Sequence, residues 1–254
     1  MSTDYQLSIT PVKLSQLPSE ETIVSLGESL LESTKSWKHG KAFHKGLVKT
    51  CSRPKGPRDG APWHCRVSEH APEDATFDEF WSKLGEDKAN NEMHATPRSI
   101  VPCANIDPDR YVSEIKKVTL IKEISPTQSI WSLYYTFPPP VSPRVFTVLQ
   151  TKHLVAESPK KGLIVSIPVE LSEDAELAKL EEKGVKGRYV SVELLEELDN
   201  GKVEWRMATS STPGGNIPSF VAESTMDSTI AKDVTHFLHW FHTVREKPQE
   251  PAAA

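Results

Sequence analysis

The segment Lys202-Val-Glu-Trp-Arg-Met-Ala-Thr-Ser-Ser-Thr212, with the turn Pro213-Gly-Gly-Asn-Ile-Pro218 after it, decides the fold. Side chains alternate between the two faces of a strand, so the segment predicts a strand with Trp205 on one face and Arg206 on the other. Proline cannot continue a strand ladder and glycine adopts positive φ without strain, so Pro213-Gly-Gly predicts a break. Apolar residues then recur every three or four positions up to about Arg245: Met226, Ile230, Val234, Phe237, Phe241 and Val244. This spacing predicts a long helix with one apolar stripe.

Patterns upstream of this unit predict a run of antiparallel strands. Candidate strands cover residues 63–70, 115–124, 130–137, 145–155, 162–169 and 186–198. Asp199-Asn-Gly201 predicts a hairpin turn into the strand 202–211, because Asn-Gly suits positive φ angles. A helix is predicted at 19–37, with Ser19 as the N-cap, and another begins after Thr76, which forms a capping box with Glu79. The segment 171–183 is predicted to contain a further helix, marked by Ala175, Leu177, Ala178 and Leu180. Strands gathered together with helices at both ends favour an α+β domain.

The final strand, the Gly-Gly-Asn-Ile-Pro turn and the long helix resemble the end of the START-like domains, which are helix-grip lipid-binding domains. Within that superfamily the chain is most similar to a mostly fungal branch. The supporting matches are Trp63–His70, Phe77–Phe80, Asn91-Glu92, Ile130–Tyr135 and Pro138–Phe146. The resemblance covers about residues 60–245. It implies a curved antiparallel β-sheet wrapped around the C-terminal helix, an internal hydrophobic cavity and a hydrophobic ligand, and it identifies no reaction.

We therefore predict three regions: a flexible lead-in over 1–18, a single START-like domain over 19–246 and a disordered tail over 247–254. The proline-containing stretch 95–108 departs from the pattern of the family. It is interpreted either as a loop near the mouth of the cavity or as a tolerated insertion.

The composition narrows the functional classes. A chain of 254 residues with 37% hydrophobic and 26% charged residues is typical of a soluble globular protein. A net charge of -5 argues against nucleic acid as a partner. No apolar run approaches the ~20 residues of a membrane span, and the N-terminus does not have the pattern of a secretory signal. The three cysteines are widely spaced and predict no disulfide framework, which favours a reduced cytoplasmic location.

A basic stretch follows the first predicted helix. Residues 38–62 are rich in glycine, proline and cationic side chains, and Asp59 is their only acid. Clustered cations are attracted to anionic headgroups, so 38–58 predicts a transient contact with an anionic membrane. The alternative is a solvated loop, because the cations do not recur on one periodic face.

Motifs for nucleotide binding, zinc proteolysis and serine hydrolysis are absent from the sequence, and we predict no cofactor and no metal. His236, His239 and His242 lie on an arc of the last helix away from its apolar stripe. We therefore expect these three histidines to face water rather than a metal.

A ligand cavity needs an apolar lining and a few convergent polar groups. As lining, we predict Trp131, Tyr135, Phe237 and Phe241. As polar groups, we predict Glu92, Arg144, Arg206 and Asp233. An isolated buried charge is very costly, so an arginine–carboxylate pair is the expected buried arrangement. The alternatives are ordinary core for the aromatic residues and an outward-facing position for the polar ones.

Two functions fit these observations. The first is the binding or transfer of a lipid or another hydrophobic small molecule. The second is an enzyme of the same fold that cyclises or isomerises a polyketide-like or terpenoid-like substrate, with Glu92, His94 or Tyr135 as the acid or base.

Overall fold

The computed structural model describes residues 5–86, 115–137, 139–215, 217 and 219–245, with the backbone alone for 219–222. Within these residues the chain has four α-helices, namely α1 Glu20–Ser33, α2 Phe77–Phe80, which continues as a π-turn over Trp81–Glu86, α3 Ala175–Ala178 and α4 Ser219–Val244. The strands are β1 Val12–Lys13, β2 Lys38–Phe43, β3 Val48–Arg53, β4 Trp63–His70, β5 Ile115–Ser125, β6 Gln128–Tyr135, β7 Arg144–Val155, β8 Lys161–Glu170, β9 Val185–Lys186, β10 Arg188–Glu197 and β11 Val203–Thr212.

The strands form one large, curved sheet in the order β2-β3-β4-β11-β10-β8-β7-β6-β5. All neighbours along this path are antiparallel, whereas the short β1 and β9 pair in parallel with β8 and β7. The domain is therefore α+β, with α1 on one face of the sheet and α4 on the other. We call these the α1 face and the α4 face.

On the α1 face, helix α1 and the N-terminal segment cover the middle of the sheet. Ser19 caps α1 by accepting a hydrogen bond from the Thr22 amide at 3.2 Å, as predicted. A methyl group on Gly27 would lie 2.9 Å from Val165, so glycine allows α1 to approach β8 closely. Residues 5–18 also pack here, with Leu7 and Ile9 buried. This corrects the expectation of a flexible lead-in for these residues, because their apolar side chains find a place on the sheet.

On the α4 face, the long C-terminal helix lies over β2, β3 and β4. Four residues of its predicted stripe are buried, namely Ile230, Val234, Phe237 and Phe241. Val244 is exposed at the end of the helix, and Trp240, outside the predicted stripe, is buried. The apolar arc of α4 is therefore wider than the predicted stripe. His236, His239 and His242 are exposed.

Helix α2 covers the neighbouring part of the α4 face. The capping box of Thr76 and Glu79 is present. Trp81, in the turn that continues α2, lies directly on β8 at Gly162, where any Cβ would overlap the indole. Glycine at position 162 thus allows Trp81 to contact the strand directly, and this contact fixes the position of α2 on the sheet.

The predicted turns are present, and in the hairpin the positive φ belongs to Gly201 and not to Asn200. Gly201 has φ of 78° in the β10–β11 hairpin, and Gly214 and Gly215 have φ of 65° and 63° at the break before α4. The helix predicted within 171–183 is present as the single turn α3. One region differs from the predictions, because residues 38–53 form strands β2 and β3 rather than a loop. Strand β2 is an exposed edge, so its sequence has no apolar alternation to reveal it.

No helix in the described ranges is long and apolar enough to cross a membrane. The 95–108 stretch and the predicted 247–254 tail lie outside the described residues.

Replacing Phe237 with aspartate tests the packing of α4. The ring of Phe237 is fully buried and lies 5.4 Å from Phe80 and 5.2 Å from Trp205, measured between ring centroids. We expect Phe237→Asp to lower the free energy of unfolding by at least about 3 kcal/mol, because it removes the ring and buries an unpaired carboxylate. Urea unfolding measures the change. His239→Asp, on the exposed side of α4, is the matched control. Equal unfolding midpoints for the two variants would contradict this packing.

Candidate functional site

A buried arginine lies on the α4 face beneath the helix. Arg66 is on β4, and the register places it beside Met207 of β11. Alternation along β4 turns His64, Arg66, Ser68 and His70 towards α4. Only 1% of Arg66 is exposed. A charge this deeply buried is costly unless its hydrogen bonds are satisfied, so its contacts define the site.

An indole ring supports the guanidinium group. Arg66 Cζ lies 3.9 Å from the centre of the Trp205 ring. Such a cation–π contact contributes about 2 kcal/mol when it is desolvated. Trp205 Nε1 donates to Glu193 Oε2 at 3.2 Å, and Glu193 is 4% exposed. The ring of Trp205 therefore contacts both a buried cation and a buried carboxylate.

Two of the guanidinium nitrogens are available to a ligand. Nε and Nη1 of Arg66 are buried and have no hydrogen-bond partner within the described residues. Leaving a buried donor unsatisfied costs about 1–3 kcal/mol. Guanidinium N–H groups suit carboxylate, phosphate or other oxygen acceptors. Among the described residues, no oxygen atom accepts a hydrogen bond from these two nitrogens.

His70 extends the polar group along β4. The Ser68 hydroxyl donates to the Trp205 carbonyl at 3.5 Å, and His70 Nε2 lies 2.8 Å from the Ser68 oxygen. In this arrangement Nε2 donates and Nδ1 is an acceptor, which has no hydrogen-bond partner in the described part of the chain. Burial lowers the pKa of His70 to about 4, the charge of Asp74 opposes this shift, and the charge of Arg66 adds to it. The imidazole is thus neutral near neutral pH.

Aromatic rings surround one side of this polar group. His70 lies 5.2 Å from Phe80 and 6.3 Å from Trp205 between ring centroids. Phe237 of α4 stacks on Phe80 and on Phe241 at 5.4 Å and 5.9 Å. The arrangement combines a charged hydrogen-bond donor with an apolar wall, which suits an amphipathic molecule.

The structure divides the predicted site residues into separate groups. Phe237 and Phe241 belong to the wall just described. Trp131, Tyr135 and Arg144 lie at the far end of the α4 face, on β6 and β7. Arg144 donates there to the backbone carbonyls of Ser142 and Pro213, so it supports the loops between strands. Tyr135 packs edge-on against Phe146 at 5.2 Å.

Two predicted polar residues lie elsewhere. Arg206 points to the α1 face, where it donates to Thr34 Oγ1 at 2.9 Å and to Glu204 Oε1 at 2.8 Å. Adjacent residues of a strand point to opposite faces, so Arg206 faces α1 because Trp205 faces α4. Asp233 is half-buried on α4 beside the apolar stripe. Glu92 and His94 lie outside the described residues.

Arg66, His70 and Glu193 were not among the predicted site residues. The alternation of β4 would have grouped Arg66 with His64, Ser68 and His70. Choosing the correct face also required knowing that β4 pairs with β11, and no local feature of the sequence shows that pairing.

Among the residues that the structure describes, no group of three or more His, Cys, Asp or Glu side chains could hold a metal ion. Cys51 and Cys65 are buried free thiols on the α1 face, and Cys65 therefore points away from the neighbouring His64.

The pH dependence of stability isolates His70. Its pKa falls from 6.5 to about 4 on folding, so the unfolded state binds the proton more tightly. Stability is complete above about pH 6.5 and is lost as the pH falls towards about 4. Between about pH 7 and pH 5, we expect the wild type to lose about 2 kcal/mol more than His70→Gln. Urea unfolding at both pH values measures this. His242→Gln, on an exposed histidine, should behave as the wild type, and an unchanged pH dependence in His70→Gln would contradict the assignment.

Solved structures share this architecture at low sequence identity. The crystal structure of human STARD10 is 11% identical, with a TM-score of 0.67 over 90% of this chain and 82% of that chain. Human StAR-related lipid transfer protein 5 is 13% identical, with a TM-score of 0.61 over 90% and 100%. The human StarD13 (DLC2) lipid transfer and protein localization domain is 17% identical, with a TM-score of 0.57 over 89% and 98%. These similarities show the fold, which is the START-like helix-grip fold. The similarity to a mostly fungal branch stays a prediction.

No curated protein matches the sequence. A family model does match, over residues 63–241, from the start of β4 into the last turns of α4. The matched range contains Arg66, His70, Glu193 and Trp205 and covers more than half of the chain. The chain therefore belongs to the family described as a protein of unknown function, DUF3074.

Proposed function

We propose that the protein binds a lipid or another hydrophobic small molecule between α4 and the sheet, with an oxygen atom of the ligand bound by Arg66. One observation carries the proposal: within the described residues, two buried N–H-bearing nitrogens of Arg66 have no partner, beside an aromatic wall. A ligand that is apolar along its length and has an oxygen acceptor would satisfy both features.

The energetics favour such a ligand. Burying apolar surface contributes about 25 cal/mol per Å2 removed from water. A hydrogen bond to a charged group adds about 1.5–3 kcal/mol, which corresponds to about 10- to 150-fold in affinity. The names of two proteins with this fold include lipid transfer, which supports the same class of function here. The free thiols Cys51 and Cys65 agree with the proposed cytoplasmic location.

Native mass spectrometry of freshly purified protein, followed by extraction, tests the proposal. We expect a copurified hydrophobic molecule that carries at least one oxygen acceptor. Failure to bind or extract any lipid or hydrophobic molecule across a broad panel would contradict the proposal.

The enzyme alternative, cyclisation or isomerisation of a bound substrate, stays a prediction from the resemblance. Of its three candidate acids and bases, Tyr135 alone lies within the described residues. It belongs to the aromatic cluster at the far end of the α4 face.

Replacing Arg66 with methionine separates binding from stability. Methionine keeps much of the volume and removes a buried charge with unsatisfied donors, so we expect Arg66→Met to keep or raise the melting temperature. We also expect at least about tenfold weaker binding of a fluorescent fatty acid, because the charged hydrogen bond is lost. Arg206→Met is the matched control on the α1 face. It should lower stability and leave binding unchanged. Loss of stability in Arg66→Met with unchanged affinity would contradict the role of Arg66.

We further propose that the exposed edge of the sheet contacts an anionic membrane. Strand β2 carries exposed Lys38 and Lys41, and exposed Lys45 and Lys49 follow in the hairpin to β3. Each lysine near an anionic surface contributes about 1 kcal/mol. The basic stretch that the sequence predicted as a loop is thus a basic β-hairpin. It lies beside α4, and the ligand is proposed to bind beneath that helix.

Sedimentation with vesicles tests the membrane contact. Lys38→Glu/Lys41→Glu should reduce sedimentation with phosphatidylserine-containing vesicles by at least about tenfold at low salt. Neither protein should sediment with phosphatidylcholine alone. Lys116→Glu/Lys122→Glu, the same charge change on the opposite edge strand β5, is the control. Equal loss in the two variants would indicate net charge rather than this edge.

A further inference from the structure

A row of polar side chains crosses the α4 face at right angles to the strands. The register aligns one residue from each of six neighbouring strands, from β4 to β6: His64, Thr209, Ser191, Ser166, Gln150 and Ser129. Arg66 and Glu193 lie on the same face, two residues along their strands from His64 and Ser191. The row therefore runs beside the proposed Arg66 site and belongs to the same surface.

The middle of the row is buried without internal partners. Ser166, Ser191 and Gln150 are 1%, 6% and 9% exposed. Within the described residues, no side-chain hydrogen bond is formed by these three residues, and their polar atoms are not among the fully buried atoms that lack a partner. Thr209 differs, because its hydroxyl donates to the Val190 carbonyl at 3.1 Å. Three polar groups in line without protein partners can therefore bond to a bound molecule.

One end of the row is a polarised histidine. His64 Nδ1 lies 2.7 Å from Asp227 Oδ1 on α4. Its other ring nitrogen, Nε2, is buried and lacks a hydrogen-bond partner in the described part of the chain. The pair joins α4 to the sheet and leaves one more polar atom at the level of the row.

The two sides of the row differ. On one side the register aligns Arg66, Met207, Glu193, Ile164 and Lys152, which mixes charged and apolar side chains. On the other side it aligns the apolar residues Pro168, Val148 and Trp131. Neighbouring strands are about 4.8 Å apart, so the polar groups recur at about that interval across the sheet. The polar row thus borders an apolar surface on one side.

We infer that the bound molecule is polyoxygenated: an apolar, rigid skeleton that lies across the strands and carries hydroxyl or carbonyl groups about every 5 Å along one edge. This inference rests on the proposed function and names the ligand class of the same site. A saturated acyl chain in the same position would leave the serines and Gln150 unsatisfied, whereas oxygen atoms along a skeleton would bond to them.

A matched pair of steroid carboxylates tests the inference. Cholate and lithocholate share the skeleton and the carboxylate, and cholate carries two additional hydroxyl groups. On an apolar floor, cholate would bind at least about tenfold more weakly, because each unbonded hydroxyl costs about 1–3 kcal/mol to bury. With the polar row, we expect cholate to bind as tightly as lithocholate or more tightly, measured by isothermal titration calorimetry.

A double variant assigns the preference to the row. In Ser166→Ala/Ser191→Ala, we expect the ratio of the two affinities to move at least about tenfold towards lithocholate. Stability should not fall, because the removed hydroxyls have no internal partners in the described structure. Ser132→Ala/Ser210→Ala removes two buried hydroxyls from the α1 face and should leave the ratio unchanged.

The outcomes separate this inference from the proposed function. A wild-type preference for lithocholate of about tenfold or more, or an unchanged ratio in the double variant, would overturn the inference alone. Binding of a fluorescent fatty acid without binding of either steroid would also overturn the inference and leave the proposed function intact. Absence of binding by the fatty acid and both steroids, with nothing copurified, would overturn the inference and the proposed function together.

Discussion

Burial of both faces of the sheet is the constraint on which the rest of the structure depends. Val192 and Glu193 are consecutive on β10, and they are 0% and 4% exposed. Val192 packs under α1, and Glu193 lies on the α4 face, where it accepts a hydrogen bond from Trp205. In a strand covered on both sides, the period of two no longer separates inside from outside. The alternation of side chains instead separates residues buried on the α1 face from residues buried on the α4 face. A shift of one residue in strand register would move every side chain of the strand to the opposite face.

The two environments satisfy their polar groups differently. On the α1 face, Arg206 donates to Glu204 and Thr34, and the Ser210 hydroxyl donates to the Ala61 carbonyl at 3.2 Å. On the α4 face, Arg66, Ser166 and Gln150 have no such partners within the described residues. The side chains of Arg206 and Glu204 are 15% and 17% exposed, whereas Arg66 and Ser166 are 1% exposed. The more deeply buried set is thus the one with fewer protein partners, which supports the proposal that a ligand binds on the α4 face.

The sequence predicted the elements with strong local signals. Ser19 capped a helix, Asn200-Gly201 formed a hairpin, and the stripe through Phe237 packed on the sheet, because each depends on neighbouring residues alone. An arginine–carboxylate pair forms at Arg206, with Glu204, but on the α1 face. The cluster in which Arg66 and Glu193 both contact the Trp205 ring was not predicted. Its members come from β4 and β10, which are not adjacent in the sheet, and their convergence depends on pairing of distant segments. The edge strand β2 was missed for the opposite reason, since exposure removes the apolar pattern that identifies a strand.

Stability does not explain the polar residues of the α4 face. A buried ion or hydroxyl without partners weakens the folded state, and apolar residues of similar volume are often neutral or stabilising in its place. Arg66 lies on an indole and beside aromatic rings that would pack equally well against methionine or leucine. The row through Ser166 lies among Ile164, Val148 and Trp131, where alanine or valine would fit the pattern. Arg66, Ser166, Ser191 and Gln150 share this surface, and their side chains make no hydrogen bonds to the described residues. A bound molecule with oxygen atoms along an apolar skeleton would supply partners for all of them at once.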